Sequence, residues 1–125
     1  MTTAGVWIDQ GPCWSLQISA SPEALGNAIH AALAASSIGI AHPTSWSDLN
    51  AALLEASGVE SWSVFGKSAK CVNVDAAECI SVEPTRNEGS RGGFVALEER
   101  IERVPLGGGD ADLGNSVKRA LDVAE

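Results

Sequence analysis

No lysine and no arginine occurs between Met1 and Gly66, while Asp9, Glu23, Asp48, Glu55 and Glu60 stand there unopposed. The 8 basic residues fall between Lys67 and Arg119, the stretch from Lys67 to Glu125 holds 11 acids, and the chain carries a net charge of −8. A surface of this sign repels phosphate backbones and anionic membranes and attracts basic proteins. With no basic stripe to contact phosphates, direct nucleic-acid binding is not expected. Tyrosine is absent, and the aromatics are Trp7, Trp14, Trp46, Trp62 and two phenylalanines. An aromatic anchor for a partner must therefore come mainly from tryptophan. The three cysteines, Cys13, Cys71 and Cys79, form no CxxC pair and are odd in number. They read as small buried thiols in a reducing compartment, not as a disulfide framework or zinc ligands. His30 and His42 are too far apart for a metal-binding spacing, so no metal site and no cofactor is expected. The longest apolar stretch, residues 28–35, is broken by His30 and is far too short to span a bilayer. The first five residues lack the basic start and apolar core of a secretory signal, which makes the cytoplasm the expected location.

What is present suits one globular domain over residues 1–125: 45% hydrophobic residues with 19% charge, enough to bury a core without staples. Residues 5–9 and 13–19 read as two strands joined by the turn residues Gln10, Gly11 and Pro12. In the second, Trp14, Leu16 and Ile18 alternate with Ser15, Gln17 and Ser19. Ser21, Pro22 and Glu23 open a helix by cap, first-turn proline and dipole, and Leu25, Ile29 and Leu33 then form its apolar stripe. Ser45 or Ser47 caps a second helix holding Leu49, Leu53 and Leu54, which Gly58 ends. Residues 61–65, 70–74 and 79–83 alternate as strands, with 75–78 as a hairpin connection. Residues 87–93 read as a flexible glycine-rich loop, followed by strands at 94–97 and 101–104. Asp110 or Asp112 then caps a terminal helix with Leu113, Val117, Ala120, Leu121 and Ala124 on one face. The expected fold is α+β: a mostly antiparallel sheet with helices packed on one face, in the order β-β-α-α-β-β-β-β-α.

Catalytic patterns are poorly represented. There is no GxSxG nucleophile elbow, and His30 lies beside an apolar stripe with no partner acid nearby in sequence. Gly66, Lys67 and Ser68 imitate the end of a phosphate loop, but position 61, where the pattern needs glycine, is serine. Glu98, Glu99 and Glu102 are interleaved with Arg100 and Arg103 and read as a self-neutralising solvated face. Nothing here points to an enzyme. A protein whose surface is its function is the better reading.

Three groups of residues carry a resemblance. Ser61-Trp62-Ser63-Val64-Phe65 with Ala69-Lys70-Cys71-Val72 and the run from Ile80 to Phe94 is the first. The opening Gly5-Val6-Trp7-Ile8-Asp9 with the helix start Ser21-Pro22-Glu23-Ala24-Leu25 is the second, and the loop from Ala41-His42-Pro43-Thr44 to Trp46 is the third. Together these segments resemble small bacterial immunity proteins of contact-dependent growth inhibition systems, a class of polymorphic toxin systems. The resemblance implies an immunity-protein-like α+β domain. It also implies one partner, the C-terminal toxin domain of a large exported effector, bound 1:1, commonly a nuclease, with a tRNA nuclease preferred over a DNase. No small-molecule substrate is implied. Such a toxin needs a basic groove, and carboxylates standing where phosphates would lie can occlude it.

The family supplies no interface motif, so candidates for partner binding come from charge and exposure. They are Trp46, Asp48, Glu55, Glu60 and Trp62 in the part free of lysine and arginine, then Asp75 and Glu78 at the hairpin and Glu88 in the glycine-rich loop. Asp48 and Glu55, seven residues apart, project from one side of a helix. Two other classes stay open. One is a small enzyme or ligand-binding domain using His42, Glu83, Arg86 and Arg91 around a pocket. The other is an acidic secretion chaperone, which would dimerise and wrap an unfolded segment.

Overall fold

A computed structural model describes residues 1–5, 8, 12–44 and 50–125. The elements are α1 (Pro22–Ala35), α2 (Ala51–Ser57), α3 (Trp62–Ser68), β1 (Val72–Ala76), β2 (Ile80–Asn87), α4 (Gly89–Gly92), β3 (Phe94–Ala96), a 3-10 turn (Glu98–Arg100), β4 (Glu102–Val104) and α5 (Asp110–Val123). The fold is α+β with an open antiparallel sheet of four strands, as the patterning requires.

β2 is the centre of that sheet. β1 pairs along one side, from Val72 opposite Pro84 to Ala76 opposite Ile80. On the other side β4 pairs with residues 80–82 and β3 with residues 85–87, so two short strands share one edge. Beyond β1, Glu125 continues that side: its N–H donates to the Thr85 carbonyl at 3.0 Å, and its own carbonyl accepts from the Asn87 N–H at 2.8 Å. Alternation sends Ile80 and Val82 to the core, where they meet Val104 of β4 and Leu113, Val117 and Ala120 of α5. Leu25, Ile29 and Leu33 of α1, with Val72 and Val74 of β1, pack around this cluster. Both long helices therefore cover the same face of the sheet. The solvent side of β1 carries exposed Asn73 and Asp75.

α1 begins as its sequence dictates. The Ser21 hydroxyl accepts from the Ala24 N–H at 3.1 Å, and Pro22 occupies the first turn. α1 and α5 cross where each presents a glycine to the other's backbone. A Cβ at Gly26 would lie 1.8 Å from the Asp110 carbonyl oxygen, and one at Gly114 would lie 1.8 Å from that of Pro22. Gly58 ends α2 with φ +70, the left-handed cap that glycine adopts without strain.

Several expectations are corrected. Residues 13–19 form no strand: 12–17 have no regular structure and 18–19 lie in a turn. The strand expected at residues 5–9 and its turn fall largely on residues 6, 7 and 9–11, outside the described residues, as do Ser45, Ser47 and Leu49 of the second helix. Residues 61–65 belong to a helix. The Ser61 hydroxyl accepts from the Val64 N–H at 3.3 Å, and the Trp62 and Phe65 rings stack at 5.4 Å, an i,i+3 contact that no strand makes. The glycine-rich stretch expected to be loose contains the helical turn α4, tied down by the Asn87 side chain, which accepts from the Gly89 N–H at 2.8 Å. The described order therefore opens with three helices before the sheet, not with a hairpin. Neither acid caps α5. Gly109 stands at that position, and Asp110 is engaged elsewhere.

Candidate partner-binding surface

The carboxylates chosen from sequence divide into two regions. Asp75, on the solvent side of β1, and Glu78, in the turn after it, stand exposed at the start of β2. Glu88 follows the other end of β2, roughly 23 Å away at about 3.3 Å per residue. α3 lies at this second end, because Gly66 packs against Ser90 of α4, where a Cβ would meet the Ser90 Cα at 2.9 Å. Trp62, half-buried at the first turn of α3, and exposed Glu60 just before it belong to this region. Glu55 is exposed on α2, whose Leu53 and Leu54 are half-buried. Trp46 and Asp48 lie outside the described residues, so the pairing of Asp48 with Glu55 does too.

These carboxylates are not equivalent. Arg86 holds Glu88 through Nε and Nη2, both at 2.7 Å from Oε1. This pair raises the Arg86 pKa, by the hydrogen bond first and the charge second. Its negative charge is already matched. No described ion pair involves Glu55, Glu60, Asp75 or Glu78, which leaves these four as open charges on the described surface.

Two polar contacts join elements far apart in sequence, and neither is legible locally. His30 Nδ1 lies 2.6 Å from Asp110 Oδ1, so the histidine that sequence left without an acid has one from α5. Asn27 Nδ2 donates to the same carboxylate at 3.5 Å. Glu102 is not part of a self-neutralising run with Arg100 and Arg103. The pleat of β4 turns it toward α5, where Arg119 donates from Nε at 3.0 Å and Nη2 at 2.8 Å. The fully buried Ser116 hydroxyl donates to it at 2.6 Å. These bonds, Arg119 first, lower the Glu102 pKa to about 2. Beside this network lies an open depression of about 450 Å³ lined by Arg100, Glu102, Arg119, Ala120, Asp122 and Val123. The acid there is committed to structure and is a poor proton donor at neutral pH.

The residues of the ligand-pocket alternative have other occupations. His42 Nδ1 lies 3.2 Å from the Thr2 hydroxyl, beside the short bridge between Thr2 and Ile40. Arg86 holds Glu88, Glu83 is half-buried on β2 and Arg91 is exposed on α4. None of the four lines the depression near Arg119. No group of three or more acidic, histidine or cysteine side chains able to hold a metal occurs among the described residues. Nor is any described helix long and apolar enough to cross a membrane.

Sequence signal missed the exposure of Trp14 at 42%, Leu16 at 40% and Ile18 at 101%. Their alternation is that of a half-buried strand, which would cover these three side chains, and the fold leaves them exposed.

A family model described as CdiI, CDI immunity protein, matches residues 5–124. The comparison with curated proteins produced no match. Among solved structures, a protein of unknown function, NMB0488 from Neisseria meningitidis, is similar with a TM-score of 0.66 at 16% identity. The alignment covers 88% of this chain and 75% of that one. At this identity the likeness speaks for the fold.

Proposed function

The chain belongs to the CDI immunity protein family, and on that premise we propose that it neutralises a cognate toxin domain by charge-complementary occlusion, without catalysis. The partner is the C-terminal domain of a large exported effector, a basic nuclease bound 1:1 in the cytoplasm, with a tRNA nuclease preferred over a DNase. The observation that carries this reading is the absence of lysine and arginine from residues 1–66, together with the open carboxylates of Glu55, Glu60, Asp75 and Glu78. A nuclease concentrates positive charge in the groove that holds its substrate. Carboxylates projecting from an inhibitor compete for that groove and speed the encounter, to about 10⁸ M⁻¹s⁻¹ at low salt. Affinity itself rests on a few buried apolar or aromatic anchors at the centre of such an interface. Trp46, Asp48, Glu55, Glu60, Trp62, Asp75 and Glu78 are the proposed contacts. Glu88 ranks below them because Arg86 already satisfies it.

The test is co-expression with the C-terminal domain of the large protein encoded immediately upstream. Survival that depends on this protein, with a one-to-one complex that weakens as salt rises toward about 0.5 M, is the expected result. Toxicity unaffected by this protein, with no complex at low salt, would overturn the assignment to that partner.

A further inference from the structure

The stretch from Cys13 to Ser19 has the composition of a strand and pairs with no strand among the described residues. Trp14, Leu16 and Ile18 occupy one parity and Ser15, Gln17 and Ser19 the other, the pattern of a chain that rests one face on an apolar surface. In the fold the chain runs from Pro12 to Gln17 without a turn or bend. The backbone hydrogen bond made by this stretch among the described residues is the one its Gln17 carbonyl accepts from Ala20 at 2.9 Å. All three large apolar side chains are exposed, Ile18 completely. Monomeric proteins seldom leave such a row uncovered unless a partner uses it. The stretch is also held at a defined place. Lys118 of α5 donates to the Ala20 carbonyl at 2.5 Å, and Ser21 begins α1 directly after it.

We infer that residues 13–17 are the strand with which this protein engages its toxin, adding edge-to-edge to an exposed strand of the toxin fold and seating Trp14 and Leu16 against it, with Ile18 presented from the turn that ends it. This rests on the immunity reading and names the contact through which it works. Strand addition supplies affinity through main-chain hydrogen bonds and specificity through alternate side chains, both of which this stretch offers. Charge selects the occupant. The strand lies within the 66 residues that contain no lysine or arginine, and Lys118, which reaches its far end, is held on the Ala20 carbonyl, so a basic surface meets little cationic repulsion along it. A second copy of this chain, also at −8, is repelled from the same approach. The acidic residues then guide the encounter, and the apolar strand holds the complex.

Amide exchange followed by NMR on the full chain, free and saturated with the upstream toxin domain, tests the inference. In the complex, amides of one parity, either 15 and 17 or 14 and 16, slow at least about 100-fold while those of the other parity slow less, because a ladder engages alternate N–H groups. The Leu16→Glu, Ile18→Glu double variant binds the toxin domain roughly 100-fold more weakly. Its melting temperature stays within about 2 °C of the parent, since neither side chain is in the core. A complex that forms with no slowing anywhere in 13–19 and normal binding by the double variant would overturn the inference and leave the immunity reading intact. Slowing of these amides in the free protein, with a dimer in sedimentation, would assign the strand to a second copy instead. Failure to bind that toxin domain at all would remove the immunity assignment to that partner, and this inference with it.

Discussion

Alanine at Gly26 attacks the point on which the helical layer depends. The added Cβ stands 1.8 Å from the Asp110 carbonyl oxygen and 2.5 Å from the carbonyl carbon. A relaxed carbon–oxygen contact is about 3.3 Å, so α1 and α5 must separate by roughly 1.5 Å. No change of rotamer relieves a Cβ against a main chain. Overpacking costs about 1–3 kcal/mol, and a backbone obstacle places this case near the upper end. Alanine recovers about 1 kcal/mol over glycine in a helix. The net loss is about 2 kcal/mol, which lowers the melting temperature of a chain this size by roughly 8 °C. Gly114→Ala, 1.8 Å from the Pro22 carbonyl oxygen, behaves alike. The double variant loses less than the two singles together, because one separation of the helices relieves both contacts. Asn115→Ala, on the exposed side of α5, is the control and leaves the melt unchanged or slightly higher. Thermal and urea unfolding followed by circular dichroism decide the matter. If Gly26→Ala and Gly114→Ala both melt at or above the parent, the close crossing of α1 on α5 is wrong.

Glu102 makes stability depend on acid. Its folded-state pKa of about 2 lies below the ordinary 4.5, so its contribution is full above about pH 5 and is lost as pH falls toward 2. Glu102→Gln flattens that part of the curve of stability against pH, measured by urea titrations across this range; an unchanged slope would refute the role of Glu102. Ser21→Ala removes the cap of α1 and costs about 1 kcal/mol, read as a few degrees in the thermal melt. Glu55→Lys and Glu60→Lys each slow association with the toxin domain about 3- to 10-fold at low salt and reduce its salt dependence, measured by stopped flow. Glu88→Gln has a smaller effect, since Arg86 already holds that carboxylate.

What the sequence made legible follows the range of the forces involved. α1 announces itself within three residues through Ser21, Pro22 and Glu23, and the β1–β2 hairpin and the apolar face of α5 are likewise written in local period. Residues 61–65 misled because tryptophan, valine and phenylalanine favour strands while their spacing also permits an i,i+3 stack. Ser61 as a cap was the signal that favoured a helix. Residues 13–19 misled for the opposite reason: the strand pattern is real, yet the described residues offer it no ladder. The candidate acids were legible as acids, but their division between the two ends of β2 was not. His30 with Asp110, 80 residues apart, and Glu102 with Arg119, 17 apart, depend on the completed fold. No window of sequence contains both partners of the first.

That 80-residue span also bears on time. The core closes only when α1 reaches α5, and most of the chain must be looped between them before either is rewarded. Topologies dominated by distant contacts fold slowly, up to milliseconds or seconds, where helical bundles with local contacts take microseconds. On the proposed mechanism, capture of a toxin steered by charge would be limited by diffusion and would proceed without such a delay. Copies that have already folded therefore set how quickly a cell is shielded, and a standing reserve protects where fresh synthesis would arrive late.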